Sequence, residues 1–168
     1  KELYYYLRGE KEKYETAEVK VSTDKEGETY YEMLLKPREV AISKNTDLAK
    51  VFDIKEIYFD LNKSDIRPDA AVELAKIVEV MKEYPKMKID IRSHTDSRAS
   101  DAYNLALSDR RAKSTLEWIV KQGIERKRLT AKGYGETRLV NGCSNGVPCT
   151  EEEHQANRRS EFIVVSME

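Results

Sequence analysis

Residues 88–112 read KIDIRSHTDSRASDAYNLALSDRRA, and their pattern decides the fold. The first six residues alternate, with Ile89 and Ile91 on one side and polar residues on the other, which predicts a β-strand over Lys88–Ser93. Ser100 is a favoured helix-capping residue and Gly123 a favoured helix stop, so a long helix is predicted between them. The predicted apolar stripe of this helix comprises Leu105, Ala112, Leu116 and Ile119. A strand that leads through a polar turn into a long helix is typical of an α/β fold.

The turn and the helix carry three side chains of different charge. Asp96 lies in the turn, whereas Asn104 and Arg111 are seven residues apart on the helix and share one of its faces at 3.6 residues per turn. An anion, a neutral hydrogen-bonding group and a cation are therefore predicted around one small volume. Such a site suits a zwitterion, and an amino-acid-like ligand is the simplest one.

The flanking sequence alternates between strand and helix patterns. Apolar and β-branched residues predict a strand over Ile54–Asp60, and Pro68, at a favoured first-turn position, begins a helix that runs to about Tyr84. The remaining predicted elements are a strand over Leu129–Tyr134, a short helix over Glu151–Asn157 and a strand over Glu161–Ser166. This order predicts an α/β, or α+β, two-layer sandwich in which strands joined by a helix run parallel.

The first 36 residues differ from the rest of the chain because they are rich in tyrosine and in strand-forming residues. Three such runs, Leu3–Leu7, Glu15–Val21 and Thr29–Leu35, are separated by charged or glycine-containing turns. We therefore predict a short β-rich segment over residues 1–36, a polar linker over residues 37–51 and the α/β domain over residues 52–168.

Composition excludes some classes of function. The 30 Lys and Arg residues nearly balance the 31 Asp and Glu residues, leaving a net charge of −1. This balance argues against a nucleic-acid partner bound by phosphate neutralisation. No apolar run approaches the length of about 20 residues that spans a bilayer. Since the sequence starts without Met and without a signal-peptide pattern, we expect a mature or excised fragment.

The two cysteines, Cys143 and Cys149, bracket a short loop and allow three interpretations. These are a disulfide, a metal site with the nearby His154, or two free thiols. The spacing is not Cys-x-x-Cys and lacks a second pair, which disfavours zinc, so no metal site is predicted. We favour the disulfide, which would stabilise the fold by roughly 2–2.5 kcal/mol in the chain-entropy model and indicates an oxidising compartment.

Five blocks of the second part of the chain resemble the OmpA-like peptidoglycan-binding domain. They are IYFDLNKSDI at 57–66, HTD at 94–96, NLALS at 104–108 with RA at 111–112, GYGE at 133–136 and NRR at 157–159. They occur in family-like order and spacing over roughly residues 52–167. The resemblance implies a βαβαβ-type sandwich with a mixed sheet and no cofactor. It also implies a tether that binds the cell wall through the diaminopimelate residue of peptidoglycan stem peptides.

Carried over residue by residue, the ligand pocket of that family falls on Asn62, Thr95, Asp96, Asn104, Arg111 and Arg158. Diaminopimelate carries an ammonium and a carboxylate at its free end. Asp96 would accept hydrogen bonds from the ammonium, and Arg111 would bind the carboxylate bidentately, in a geometry that lysine cannot match. Arg158 would either add a second cation at the carboxylate or hold the turn of the first strand. The competing interpretation makes Arg111 a structural salt-bridge partner of Asp96.

Some positions depart from the common family pattern. Ser93 and Ala99 stand where glycine is common, and the cysteine-bearing loop Asn141–Glu153 is longer than usual. This loop resembles the Bacteroidetes branch of the family, and the N-terminal strands resemble the end of a carboxypeptidase regulatory-like β-sandwich. That domain order resembles periplasmic lipoproteins that anchor the type IX secretion machinery. The resemblance thus implies a periplasmic location at the outer membrane and cell wall, with envelope or secretion proteins as further partners.

Two other functions compete with non-catalytic binding. A hydrolase would combine His94 and Asp96 with one of three serines, Ser93, Ser97 or Ser108. The serines lack a nucleophile-elbow pattern, and the histidine and aspartate would point the same way with no separate orienting group. A protein-interaction module of the same fold would bind a partner chain instead, because fold alone does not determine function. We expect a binding domain and not an enzyme.

Overall fold

The computed structural model describes residues 3–10, 17–23, 33–35, 41–60 and 63–168. The chain divides into two compact units, Lys1–Ala41 and Ile42–Glu168. Residues 42–51, which were predicted as linker, therefore belong to the second unit. Among the described residues, no helix combines the length and the apolar character needed to cross a membrane.

The first unit contains an antiparallel pair of strands. These strands, β1 (Leu3–Gly9) and β2 (Ala17–Thr23), correspond to the first two predicted β-rich runs. The third predicted run, Thr29–Leu35, lies partly outside the described residues, and its described part, Met33–Leu35, is not a strand. The resemblance of this unit to a carboxypeptidase regulatory-like domain stays a prediction.

The second unit is a mixed α/β structure. Its elements are α1 (Leu48–Val51), α2 (Pro68–Glu83), β3 (Lys88–His94), α3 (Asp101–Lys121), β4 (Leu129–Gly135), α4 (Glu151–Asn157) and β5 (Ser160–Ser166). The strands form a sheet in the order β4–β3–β5, with β3 parallel to β4 and antiparallel to β5. The predicted fold class is confirmed, as is the parallel pairing of the two strands that α3 connects.

The predicted strand over Ile54–Asp60 is wrong, because this described segment has no strand conformation. The outer edge of β5 is already occupied: the Asn45 amide donates to the Val164 carbonyl at 2.8 Å, and the Val164 amide donates to the Thr46 carbonyl at 2.9 Å. The Lys55 amide instead donates to a carboxylate of α2, that of Glu73, at 2.9 Å. Residues 54–60 therefore pack against the core as an irregular segment and do not pair with β5.

Apolar residues of α2, α3 and the three strands of the second unit form one core. Its least accessible side chains include Leu74, Ile77, Met81, Ile89, Ile91, Ile119, Phe162 and Val164. The N-terminal half of α3 departs from the predicted stripe, since Leu105 is 50% exposed and Leu107 is buried. Glycines on β4 let the helix backbone approach instead: a Cβ on Gly135 would lie 2.9 Å from the Leu105 amide nitrogen.

The sheet topology determines where a site can form. Because β3 and β4 are parallel, their carboxyl ends lie at the same edge of the sheet, and antiparallel β5 begins there. The turn after β3, the residues after β4 and the junction of α4 with β5 therefore meet. A hydrogen bond of 2.8 Å from the Gly135 amide to the Ser108 hydroxyl ties α3 to this edge.

Candidate functional site

A cavity of about 530 Å³ opens at this edge of the sheet. Five of the six predicted ligand residues line it: Thr95, Asp96, Asn104, Arg111 and Arg158. The sixth, Asn62, lies outside the described residues. Side chains from the turn after β3, from α3 and from the end of α4 thus converge on one concave volume, although they are distant in sequence.

The Asp96 carboxylate lies at the cavity with only 11% of its side chain exposed. Its Oδ2 atom accepts hydrogen bonds from Arg98 Nη2 at 2.7 Å and from Arg158 Nη1 at 2.6 Å, whereas Oδ1 accepts one from the Arg98 amide at 3.1 Å. Burial alone would raise the pKa of Asp96, but the hydrogen bonds from the two arginines outweigh it and lower the pKa. The group is therefore an anion at neutral pH.

Asp96, Arg98, Arg158 and Glu151 form a closed ring of ion pairs, named here the rim ring. Arg98 Nη1 lies 2.7 Å from Glu151 Oε2, and Arg158 Nη2 lies 2.5 Å from Glu151 Oε1. The ring contains two cations and two anions, so it is neutral as a whole. Glu151 and Arg98 are its most exposed members, at 61% and 50% of their side chains. The predicted role of Arg158 as a cation near the site agrees with this position, but its described partners are the carboxylates of Asp96 and Glu151 and the side-chain carbonyl of Gln155.

Arg111 reaches the cavity from α3 and has different partners. Its Nε donates to the Lys63 carbonyl at 3.1 Å, and its Nη2 lies 3.5 Å from the Asp60 carbonyl. The guanidinium carbon is 4.9 Å from the centre of the Phe59 ring. Burial lowers the pKa of Arg111, which nevertheless remains charged at neutral pH. It forms no ion pair with any carboxylate in the described part of the chain, so its remaining donors are available to an anion.

Asn104 holds the turn that carries Asp96. Its buried amide donates from Nδ2 to the Asp96 carbonyl at 3.0 Å, to the Ala99 carbonyl at 3.3 Å and to the Glu136 carboxylate at 2.5 Å. Thr95 is buried at the same edge, and its amide donates to the Gly135 carbonyl at 2.9 Å. Its hydroxyl accepts and donates no hydrogen bond among the described residues. Asn104 therefore shapes the site, while Thr95 leaves a hydroxyl uncommitted beside it.

His94 ends β3 beneath the site and is almost fully buried. Its ring stacks on that of Tyr134 at a centroid distance of 5.4 Å, and its Nε2 atom lies 3.5 Å from the Glu161 carboxylate. Burial, assisted by the charge of Arg159, lowers the pKa of His94 to about 4. The imidazole is therefore neutral at pH 7, and its packing between strands indicates a structural role rather than a catalytic one.

The cysteine loop adjoins the same turn. Cys143 and Cys149 are joined by a disulfide with a Cα–Cα distance of 6.0 Å, so the favoured interpretation of the two cysteines agrees with the structure. The buried Ser97 hydroxyl donates to the Cys143 carbonyl at 2.5 Å. Among the described residues, the side chains that lie close enough together to bind a metal ion are these two cysteines and Glu153. Because the sulfurs are bonded to each other, only one carboxylate would remain as a ligand.

Two members of the rim ring were missed by the sequence argument. Arg98 lies two residues after Asp96, and an arginine so placed can fold back on the carboxylate of its own turn. Glu151 is the first residue of α4 and follows the capping residue Thr150. Its position opposite Arg98 depends on the path of the cysteine loop, for which the sequence carried no signal.

Comparisons with known proteins agree with this fold. The model of the OmpA family matches residues 58–153, more than half of the chain. The peptidoglycan-associated lipoprotein of Brucella melitensis is 39% identical over 87 residues, which are 52% of each chain. Outer membrane porin F of Pseudomonas fluorescens is 38% identical over 109 residues, covering 65% of this chain and 32% of the porin. The chain therefore spans about half or less of these relatives.

Among solved structures, the cell wall anchor of the T6SS from Pseudomonas aeruginosa superimposes with a TM-score of 0.55 at 24% identity. The match covers 64% of this chain and 74% of that one. At 24% identity this likeness shows a shared fold and nothing about function. The family match includes the HTD turn, the start of α3 and the cysteine loop, which together build most of the cavity. The chain belongs to the OmpA family.

Proposed function

We propose that this chain is a non-catalytic domain that binds peptidoglycan through the free end of diaminopimelate and so anchors an envelope assembly to the cell wall. The observation that carries the proposal is that one cavity presents two opposite charges that are not paired with each other. Asp96 offers a carboxylate, and Arg111 offers a cation without a carboxylate partner in the described chain. A ligand with adjacent ammonium and carboxylate groups complements both.

The contacts suggest a role for each group. Oδ1 of Asp96 accepts one hydrogen bond from the described residues, so it retains acceptor capacity for an ammonium. Arg111 uses Nε and Nη2 on carbonyls and retains donors for a carboxylate. Each charge-assisted hydrogen bond contributes about 1.5–3 kcal/mol before the entropy cost of binding. Thr95, with its uncommitted hydroxyl, and Asn62 would supply neutral contacts.

Membership of the OmpA family supports a binding domain rather than an enzyme. One of its relatives is a peptidoglycan-associated lipoprotein, and this name supports the wall as the ligand. On this basis we place the chain in the periplasm, at the outer membrane and wall. The Bacteroidetes-type loop and the order of segments further suggest the type IX secretion machinery as the anchored assembly.

The test is calorimetric titration of the chain with a soluble diaminopimelate muropeptide and with the matched lysine-type muropeptide. The lysine side chain keeps the ammonium but lacks the terminal carboxylate, so we expect binding at least about tenfold weaker, equivalent to 1.4 kcal/mol. Equal binding of both ligands would refute the role of Arg111. Failure to bind either would refute the proposed function, and release of a sugar or peptide fragment would identify an enzyme.

A further inference from the structure

The face of the sheet opposite the helices carries an unusual group of cations. On β3, Ile89 and Ile91 are buried in the core, so Asp90 and Arg92 point to the other side. Three cations surround one ring there: Arg138 Cζ lies 3.9 Å, Lys132 Nζ 5.3 Å and Arg92 Cζ 5.9 Å from the centroid of Tyr134. We call the surface formed by Arg92, Lys132, Tyr134 and Arg138 the Tyr134 face.

Two of the three cations of the Tyr134 face, Lys132 and Arg138, are not balanced by carboxylates of the described residues. Arg92 is the direct cross-strand neighbour of Lys132, an arrangement of like charges that destabilises a sheet. Asp90 compensates Arg92, with its carboxylate 2.8 Å from Nε. Lys132 and Arg138 form no ion pair with a carboxylate in the described ranges, and both are exposed.

Nearby acidic groups have other partners. The Glu161 carboxylate, which is the other cross-strand neighbour of Arg92, lies 2.8 Å from Arg159 Nη2. The Tyr134 ring rests on His94, which fixes its position. Two cations without a carboxylate partner in the described chain are thus held beside a fixed aromatic ring, and such a surface favours an anionic partner.

The Tyr134 face lies near the cavity. His94, under the ring, precedes Thr95 and Asp96 directly, and Tyr134 is two residues from Glu136, whose carboxylate accepts a hydrogen bond from Asn104. Two residues span at most about 7 Å. The cavity and the Tyr134 face therefore lie at the same end of β3 and β4, and a polymer bound at one can reach the other.

We propose that the Tyr134 face is a second contact surface for the peptidoglycan polymer, with Lys132 and Arg138 binding carboxylates of neighbouring stem peptides. This inference rests on the proposed function of the cavity. A repeating polymer offers many carboxylates near any bound stem peptide, whereas a single soluble muropeptide ends at the cavity. The Tyr134 face should therefore add to the retention of the chain on intact wall and contribute little to the binding of a monomer.

The test compares a soluble diaminopimelate muropeptide with purified sacculi, using the double variant Lys132→Glu/Arg138→Glu. The matched control is Lys82→Glu/Lys86→Glu, which makes the same change of charge at exposed positions before the start of β3. We expect the first variant to bind the muropeptide within twofold of wild type, while its retention on sacculi falls at least tenfold. Added salt should weaken wild-type retention on sacculi more than that of the variant. The control variant should behave like wild type.

Unchanged retention of Lys132→Glu/Arg138→Glu on sacculi would overturn the inference, as would an equal loss in the control. Vesicles of anionic phospholipid form a separate arm. Binding to vesicles that depends on Lys132 and Arg138, with retention on sacculi unchanged, would assign the Tyr134 face to a membrane and overturn the inference. A wild-type chain that binds sacculi but no muropeptide would instead refute the proposed function of the cavity.

Discussion

Asp96 and Arg111 line the same cavity without pairing with each other. The carboxylate is held by Arg98 and Arg158, whereas the guanidinium of Arg111 is held by main-chain carbonyls and the Phe59 ring. The interpretation of Arg111 as a structural salt-bridge partner of Asp96 is therefore not supported by the structure. Two opposite charges kept apart across a concave surface leave room for a ligand that carries both.

Replacing Arg111 by alanine should weaken binding of the diaminopimelate muropeptide by about 2–5 kcal/mol, because the ligand carboxylate would lose a desolvated ion pair. Arg111→Lys should recover only part of this loss, since an ammonium cannot form the bidentate contact. Titration calorimetry measures both effects. The matched control is Arg110→Ala, at the exposed neighbouring position of α3, which should bind like wild type. If Arg111→Ala binds the muropeptide as tightly as wild type, Arg111 does not bind the ligand and its role is structural.

Replacing both Cys143 and Cys149 by serine should lower the free energy of unfolding by roughly 2 kcal/mol, according to the loop-entropy model. Affinity for the muropeptide should fall as well, because Ser97, next to Asp96, donates to the carbonyl of Cys143. Ser97→Ala keeps the disulfide and removes this hydrogen bond, so it separates the two effects. If the double serine variant loses stability but binds normally, the loop does not position the turn.

Replacing Arg128 by methionine should destabilise the fold by about 2–4 kcal/mol. The buried guanidinium donates to the carbonyls of Met81, Tyr84 and Met87 at 2.7–2.9 Å, where α2 ends, and these acceptors would be left unsatisfied. Urea denaturation measures the change. Arg126→Met is a suitable control, because Arg126 is exposed and pairs only with Glu117 among the described residues, a contact worth less than about 1 kcal/mol.

Stability should fall as the pH decreases from 7 to 5. The pKa of His94 is about 4 in the folded chain and about 6.5 when unfolded, so the unfolded state binds more protons throughout this interval. The expected loss is about 2 kcal/mol, measured by denaturation at each pH. His94→Gln should flatten the dependence in this interval. A wild-type curve with no slope between pH 5 and 7 would contradict the buried, neutral imidazole.

The pKa of Asp96 is lowered in the folded chain, so its contribution to stability is fully present above its unfolded pKa, near 4, and is lost only as the pH falls through the lower folded value. Muropeptide binding should therefore show no transition from Asp96 between pH 5 and 7. Asp96→Asn, which cannot compensate an ammonium, should abolish most binding at every pH in this range. Calorimetric titrations at three pH values would test both statements, and normal binding by the variant would contradict the role of Asp96.

Periodicity predicted the elements that have strong local signals. These signals are the Ser100 cap of α3, the proline at the start of α2 and the alternation in β3. Each acts through residues that are neighbours in sequence, so it can be recognised from the sequence alone. The segment 54–60 has the composition of a strand, but residues 45–47 occupy the edge of β5 with which it would pair. Composition does not show which of two segments takes an edge in the folded chain. Leu105 was misplaced for a similar reason, since the approach of α3 at this residue depends on Gly135 of β4, 30 residues further along the chain.

The candidate site was predicted mainly from the family resemblance, which supplied Arg158 from a distant segment. The spacing of Asn104 and Arg111 on one helix placed them near Asp96, and both line the cavity with it. Arg98 and Glu151 could not be assigned, because their meeting depends on the path of the cysteine loop. The donor pattern of Asn104 was also unexpected: its amide holds the Asp96 turn, which a helical pattern alone does not indicate.

The rim ring balances the charge of Asp96 within the chain itself. A carboxylate with 11% exposure and no counter-ion would be costly, and Arg98 and Arg158 supply that counter-charge at Oδ2 of Asp96. Under the proposed function, a ligand ammonium binds at Oδ1, while Arg98 and Arg158 stay on Oδ2 and on Glu151. The charge of Asp96 is thus compensated by residues of the same chain, so the fold of this edge does not depend on a ligand cation.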